Sequence, residues 1–252
     1  MPGLFITGTD TGVGKTYVAA MIARALRAAG YRVGVYKPAA SGCTAESGKR
    51  KAESGRRDQH TAFRFPLSAF CSDDALHLWE AAGRPGLLER VCPQRFEAPL
   101  APHLAAQQEG RRLDAKLLRS GLEYWKKRSD VVLVEGAGGL MSPLGDEEYV
   151  ADLARDFGFP LVVVARNALG TINQTLQTLI AAATFREGLS IAGIVLNNPS
   201  PPGDDPSTAT NRRELSLRCV PPILAEVAWQ SDRFDAEVDW FALAGGVRVC
   251  YD

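Results

Sequence analysis

Residues 5–26 read FITGTDTGVGKTYVAAMIARAL, and no other stretch restricts the fold as tightly. Apolar residues suited to a buried strand run straight into a loop of glycine, threonine and aspartate. Gly14-Lys15-Thr16 and a helix-period segment follow. A Gly-rich loop between a strand and a helix presents backbone N–H groups at the positive end of the helix, which suits a phosphate. The usual spacing is GxxxxGK followed by Ser or Thr. Here the end of that pattern is present, but Thr9 stands where the first glycine belongs and Gly8 lies one residue earlier. The bland alternative is a Gly-rich turn that happens to hold a lysine. On the phosphate reading, Lys15 reaches the β- and γ-phosphates of a nucleotide and the Thr16 hydroxyl meets Mg²⁺.

The rest of the chain has the rhythm such a loop requires. Apolar runs at 4–7, 32–37, 130–135, 160–165, 192–197 and 221–227 are rich in Val, Ile and Leu on both faces, as parallel strands covered by helices should be. Helix-period segments lie at 15–29, 73–82, 113–127, 148–157, 171–187, about 207–218 and 237–244. This alternation predicts an α/β fold, a doubly wound, mostly parallel sheet with helices on both faces, in one domain over 1–252.

One segment does not fit that rhythm. Residues 44–65 carry Lys49, Arg50, Lys51, Arg56, Arg57 and Arg64, and the tetrad AESG occurs in them twice. They are either a basic flap over an anionic ligand or a solvated, mobile insertion.

Composition narrows the function. Lys+Arg and Asp+Glu both number 29, and a neutral chain argues against a dedicated nucleic-acid or membrane-surface binder. Five scattered cysteines without CxxC spacing point to reduced thiols rather than a zinc site or disulfide framework. The N-terminus enters the first strand without a leader-like segment, so the expectation is a soluble cytoplasmic protein.

A nucleotide site needs an acid at the end of an apolar strand. DVVLVEGAGG places Glu135 there, with Gly136, Gly138 and Gly139 behind it. An acid in that position falls on the ligand edge of a parallel sheet, and the glycines let backbone approach a substrate. Glu135 is therefore a candidate Mg²⁺ ligand, the alternative being a plain strand-end charge. VYKPAASG puts Lys37 at the end of the second strand, on the same edge, with Ser41 in the loop beyond.

Together these pieces resemble the dethiobiotin synthase family, P-loop enzymes that close the ureido ring in biotin synthesis. The resemblance rests on GTDTGVGKT (8–16), YKPAASG (36–42), SDDALHL (72–78), APHLAAQQEG (101–110), VEGAGGLMSPLGD (134–146), ALGTINQTL (168–176), LNNPSPPG (196–203) and ILAEVAW (223–229). It implies ATP, CO₂ and 7,8-diaminononanoate as reactants and Mg²⁺ as cofactor. It also implies Lys15 and Lys37 as neutralisers of the carbamate and γ-phosphoryl charge, with Thr11 and Ser41 as hydrogen-bonding partners of substrate nitrogen or carbamate. Thr16, Asp74 and Glu135 become the metal ligands. Asp73 is a rival to Asp74, Asp58 is a weaker one, and a helix N-cap is the other role for 73 or 74.

The nucleotide maps onto Gly12, Val13, Gly14, Lys15, Thr16 and Tyr17, with the base at Asn197, Pro202, Gly203 and Glu226. The substrate maps onto Thr11, Ser41, Gly138 and the helix start Thr171, Ile172 and Asn173. In the family that helix start comes from the neighbouring subunit, which implies a homodimer. Neither nucleic acid nor membrane is expected as a partner.

Position 225 is Ala where some relatives have Gly. His103 reads as a histidine of the substrate wall or as a base, and His60 and His77 lack metal partners in the sequence. Trp79, Trp125, Trp229 and Trp240 read as core. The competing function is a nucleotide switch of the chromosome-partitioning or division-site kind. Those proteins carry a second lysine early in the loop, where this chain has Asp10.

Overall fold

The computed structural model describes residues 1–43 and 72–247. The basic segment 44–65, with Asp58 and His60, lies outside the described residues. The chain begins with β1 (Gly3–Gly8), α1 (Lys15–Ala28), β2 (Val33–Tyr36) and the short β3 (Ala39–Ala40). Next come α2 (Asp73–Ala81), α3 (Leu88–Val91), β4 (Gln94–Arg95), α4 (Pro102–Gln108), α5 (Ala115–Ser120) and α6 (Leu122–Lys126). The second half runs β5 (Val131–Gly139), α7 (Val150–Phe157), β6 (Leu161–Arg166), α8 (Thr171–Thr184), β7 (Ile191–Asn197), α9 (Thr208–Arg218), β8 (Ile223–Val227) and α10 (Trp240–Leu243).

Six strands form one sheet in the order β2-β5-β1-β6-β7-β8, with every pairing parallel. The chain moves to one side of β1 through β2, and β5 fills the gap between them. It then crosses to the other side through β6, β7 and β8. All six residues of β1 and all four of β2 are buried, because helices cover both faces and leave no side for polar alternation. Carboxyl ends of all these strands share one edge, where ligands bind in open α/β sheets. Glu135 pairs in register with Ile6, so it reaches that edge beside the loop that leaves β1.

Two features were not legible as period. A second, two-stranded parallel sheet joins β3 to β4, with Ala39 opposite Gln94 and Ala40 opposite Arg95; pairs this short carry no alternation to read. The helix expected over 113–127 is divided at Gly121. Packed against Gly121 is Tyr36, a fully buried side chain on β2. Its hydroxyl donates to the Leu117 and Leu118 carbonyls at 3.1 and 2.9 Å.

A Cβ at Gly121 would sit 2.8 Å from Tyr36 Cζ. Since Tyr36 has nowhere to retreat, Gly121→Ala is expected to destabilise the fold by about 1–3 kcal/mol, measured by urea denaturation. Trp125 and Trp240 are buried as expected and Trp79 is half-buried against the core, whereas Trp229, which follows β8 beyond the sheet, is 39% exposed. Cys43, Cys92 and Cys219 are free thiols. Among the described residues no helix is long and apolar enough to cross a membrane.

Candidate active site

The loop between β1 and α1 is held from several sides. Thr9 N donates to Val164 O on β6 at 3.0 Å, and Thr11 N donates to Asp10 Oδ1 at 2.7 Å. Gly14 closes the loop at φ 95°, and α1 starts behind it without a side-chain cap. Its first N–H groups therefore remain available to an anion. Only glycine serves at that position. Besides the positive φ, a Cβ there would collide with the Asn197 side-chain amide, which donates to the Val13 carbonyl at 2.9 Å. Lys15 is buried and folds back so that Nζ donates to Asp10 O at 2.9 Å. Burial is the main reason its ammonium is held below the ordinary lysine range, and repulsion from Lys37 adds to it.

Beside this loop the two predicted acids and the second lysine converge. Glu135 is 2% exposed and stands within β5, directly after the apolar run Val131–Val134 and ahead of the glycines that complete the strand. Its Oε1 accepts from Thr16 Oγ1 at 2.8 Å and from Lys37 Nζ at 2.7 Å. Lys37 also pairs with Asp74 Oδ2. Burial alone would strip a proton from Lys37, but the charges of Glu135 and Asp74 outweigh it and hold the ammonium above the usual lysine range. Burial raises Asp74, but Lys37, with Thr16 and His77 adding to it, outweighs that cost, so Asp74 ends below the ordinary carboxylate range.

Of the two neighbouring aspartates, Asp74 pairs with Lys37 and lines this corner, whereas Asp73 is exposed. Neither caps α2, because the N-cap is Ser72, whose Oγ accepts from Ala75 N. Lys37 is fixed through its backbone too, with its N–H donating to Val91 O at 2.7 Å.

A cleft of about 770 Å³ joins these groups. Thr11, Gly12, Gly14, Lys15, Thr16, Tyr17, Lys37, Ser41, Asp74, Glu135 and Gly138 all line it. Val13 is buried beneath the loop. Tyr17 also donates its hydroxyl to Ser231 O at 2.6 Å. The sequence reading missed Arg24, Arg27 and His77 as further lining residues. The spacing 16, 20, 24, 27 puts Thr16, Ala20, Arg24 and Arg27 on one face of α1, and Asp74 and His77 stand three apart on α2; that periodicity was the available signal.

Other expected residues lie elsewhere. Pro202 and Gly203 are exposed in the loop after β7, and Thr171, Ile172 and Asn173 open α8. The Glu226 carboxylate is occupied by Asn167 and Asn198, which donate to its Oε1 at 3.1 and 3.0 Å. His103 Nδ1 lies 3.2 Å from Pro143 O. A carbonyl can only accept, so Nδ1 carries the proton, and His103 braces the loop after β5.

The cleft fits a divalent cation as well as phosphates. Among the described residues Glu135 Oε2 is a buried carboxylate oxygen with no hydrogen-bond partner. It stands with a threonine hydroxyl and a second carboxylate, the hard oxygen donors that Mg²⁺ prefers.

A family model described as an AAA domain matches residues 2–235. An ATP-dependent dethiobiotin synthetase BioD of Rhodopirellula baltica is 41% identical over 233 residues, covering 88% of this chain and 82% of the relative. The protein of the same name from Anaeromyxobacter dehalogenans is 43% identical over 232 residues, 92% of each chain. Among solved structures, the signal recognition particle receptor FtsY of Elizabethkingia anophelis superposes with a TM-score of 0.51 at 14% identity, covering 97% of this chain and 64% of the receptor. That likeness concerns the fold alone.

Proposed function

The chain belongs to the ATP-dependent dethiobiotin synthetases, ATP-dependent ligases of biotin biosynthesis, and on that footing we propose how its own residues carry the reaction. The substrates are ATP, CO₂ and 7,8-diaminononanoate. One amine of the diamine takes up CO₂ as a carbamate. A carbamate oxygen attacks the γ-phosphorus of ATP, releasing ADP and leaving a carbamic–phosphoric anhydride. The second amine then attacks the carbamoyl carbon, phosphate departs and the ureido ring closes.

The observation that carries this reading is the convergence of Lys15, Lys37, Thr11 and Ser41 with Thr16, Asp74 and Glu135 on one cleft. Phosphoryl transfer asks mainly for positioning and for cations where charge develops. Loop N–H groups and Lys15 hold the triphosphate, and the Lys37 ammonium neutralises the carbamate as it meets the γ-phosphoryl group. Thr11 and Ser41 orient the carbamate, and Gly138 lets the backbone approach the diamine. Thr16, Asp74 and Glu135 are the residues that would hold Mg²⁺, whose charge offsets that of the phosphates. Adenine is read at Asn197, Pro202 and Gly203.

Two features support a homodimer in which a second copy completes the site. Gly170 caps α8 without a side-chain bond, and while Thr171 N donates to Ala168 O at 3.1 Å, the N–H groups at Ile172 and Asn173 are left to meet the substrate carboxylate. Beside them Leu169 is 84% exposed and Ile180, on the same helix, 62%, apolar surface suited to a second copy.

Protein supplied with ATP, Mg²⁺, bicarbonate and 7,8-diaminononanoate is expected to yield dethiobiotin by mass spectrometry, with each component required. ATP hydrolysis indifferent to the diamine and without product would overturn the proposal.

A further inference from the structure

We infer that Asn167 is a positioning residue for the loop 198–207, and that it sets how strongly the site prefers ATP over a bare triphosphate. The inference rests on the reading of the base pocket at Asn197, Pro202 and Gly203. That loop is weakly self-supporting. Residues 200–204 are all exposed and contribute nothing to the core, so its position depends on what ties its ends.

Asn167 reaches both of those ends. It follows directly on β6 and is 6% exposed, and its backbone N–H donates to Asn197 O at 2.7 Å. Its side-chain Nδ2 donates to Glu226 Oε1 at 3.1 Å and to Thr208 O at 3.2 Å. The same Glu226 oxygen accepts from Asn198, where the loop begins, at 3.0 Å. Thr208 O lies where the loop enters α9. Asn167 Oδ1 accepts from Asn211 Nδ2 at 2.9 Å, and that amide also reaches Ala168 O at 3.2 Å and Ser207 Oγ at 3.3 Å. Asp205 completes the frame by accepting from Leu169 N at 2.8 Å.

Both amide hydrogens and the carbonyl of Asn167 are therefore in use. An apolar residue at 167 would take one partner each from the half-buried Glu226 carboxylate and the buried Asn211 amide, and the loop would relax to satisfy them. The phosphate cradle would not follow, because none of these bonds involves Lys15, Thr16 or Lys37.

The test compares steady-state KM for ATP and for 7,8-diaminononanoate with the inhibition constant of inorganic tripolyphosphate, in wild-type protein and Asn167→Ala. The expected result is an ATP KM raised about tenfold, as for the loss of a buried polar anchor, with the tripolyphosphate constant and the diamine KM unchanged. Asn211→Ala should show the same pattern to a smaller degree, and it carries the test if Asn167→Ala does not fold. Folding is checked by thermal melting of the same samples. If wild-type protein binds ATP no tighter than tripolyphosphate, the base-pocket reading fails and the inference falls with it. If wild type prefers ATP and a folded variant keeps that preference in full, or loses all three ligands equally, the positioning role is overturned.

Discussion

Lys37→Ala is expected to lower turnover by about 10³-fold, roughly 4 kcal/mol of transition-state stabilisation, while ATP binding stays within a few-fold of wild type. The asymmetry follows from where the charges sit. On the proposed mechanism a ground-state triphosphate rests on the N–H groups of the loop and on Lys15. Lys37 lies across the corner, buried between Asp74 and Glu135, on the edge where that mechanism brings the carbamate to the γ-phosphoryl group.

Its protonation is secured by those two carboxylates, which outweigh the cost of burial and keep it charged well past neutral pH. The variant therefore removes a fixed cation from the place where negative charge gathers. It also leaves two acids facing each other. Lys37→Met, which keeps the length of the side chain, should be equally inactive and separates charge from packing. Steady-state rates and calorimetric ATP binding check this, and turnover within tenfold of wild type would remove Lys37 from the chemistry.

How much of this was legible beforehand depended on whether a residue's role is local. Gly14, Lys15 and Thr16 are read from their neighbours, since a strand, a tight turn and a helix start dictate them within a few positions. Glu135 and Lys37 could be read because each ends an apolar run, and strand ends in a parallel sheet share an edge. The doubly wound sheet followed from the same runs and is what the structure contains.

What stayed hidden was settled across the chain. Asp73 and Asp74 differ only in which way the first turn of α2 faces once Ser72 caps it. Tyr36 packs against Gly121 and bonds the carbonyls before it from more than eighty residues away, which no window around 113–127 reveals. The asparagines at 167, 198 and 211 carry no motif; each is an ordinary polar residue until the fold sets Asn167 and Asn198 on Glu226 and Asn211 of α9 on Asn167.

Glu135 offers a sharper separation of stability from chemistry. It sits in the core with one carboxylate oxygen shared by Thr16 and Lys37 and the other without a hydrogen-bond partner among the described residues. Glu135→Ala takes the more buried of its two anions from the Lys37 ammonium, and breaking a buried pair typically costs about 3–5 kcal/mol. Asp74 remains on Lys37 and is partly exposed, so the lower end of that range is expected in urea denaturation.

Glu135→Gln should behave differently. Its amide oxygen still accepts from Thr16 and Lys37, so most of the stability survives. The charge and the second oxygen are gone, though, and with them a ligand for Mg²⁺. Turnover should then fall by about 10²–10³-fold, and the Mg²⁺ concentration for half-maximal rate should rise. A glutamine variant with wild-type stability and a wild-type Mg²⁺ requirement would place the metal away from β5, and would leave Glu135 as the counter-ion of Lys37 alone.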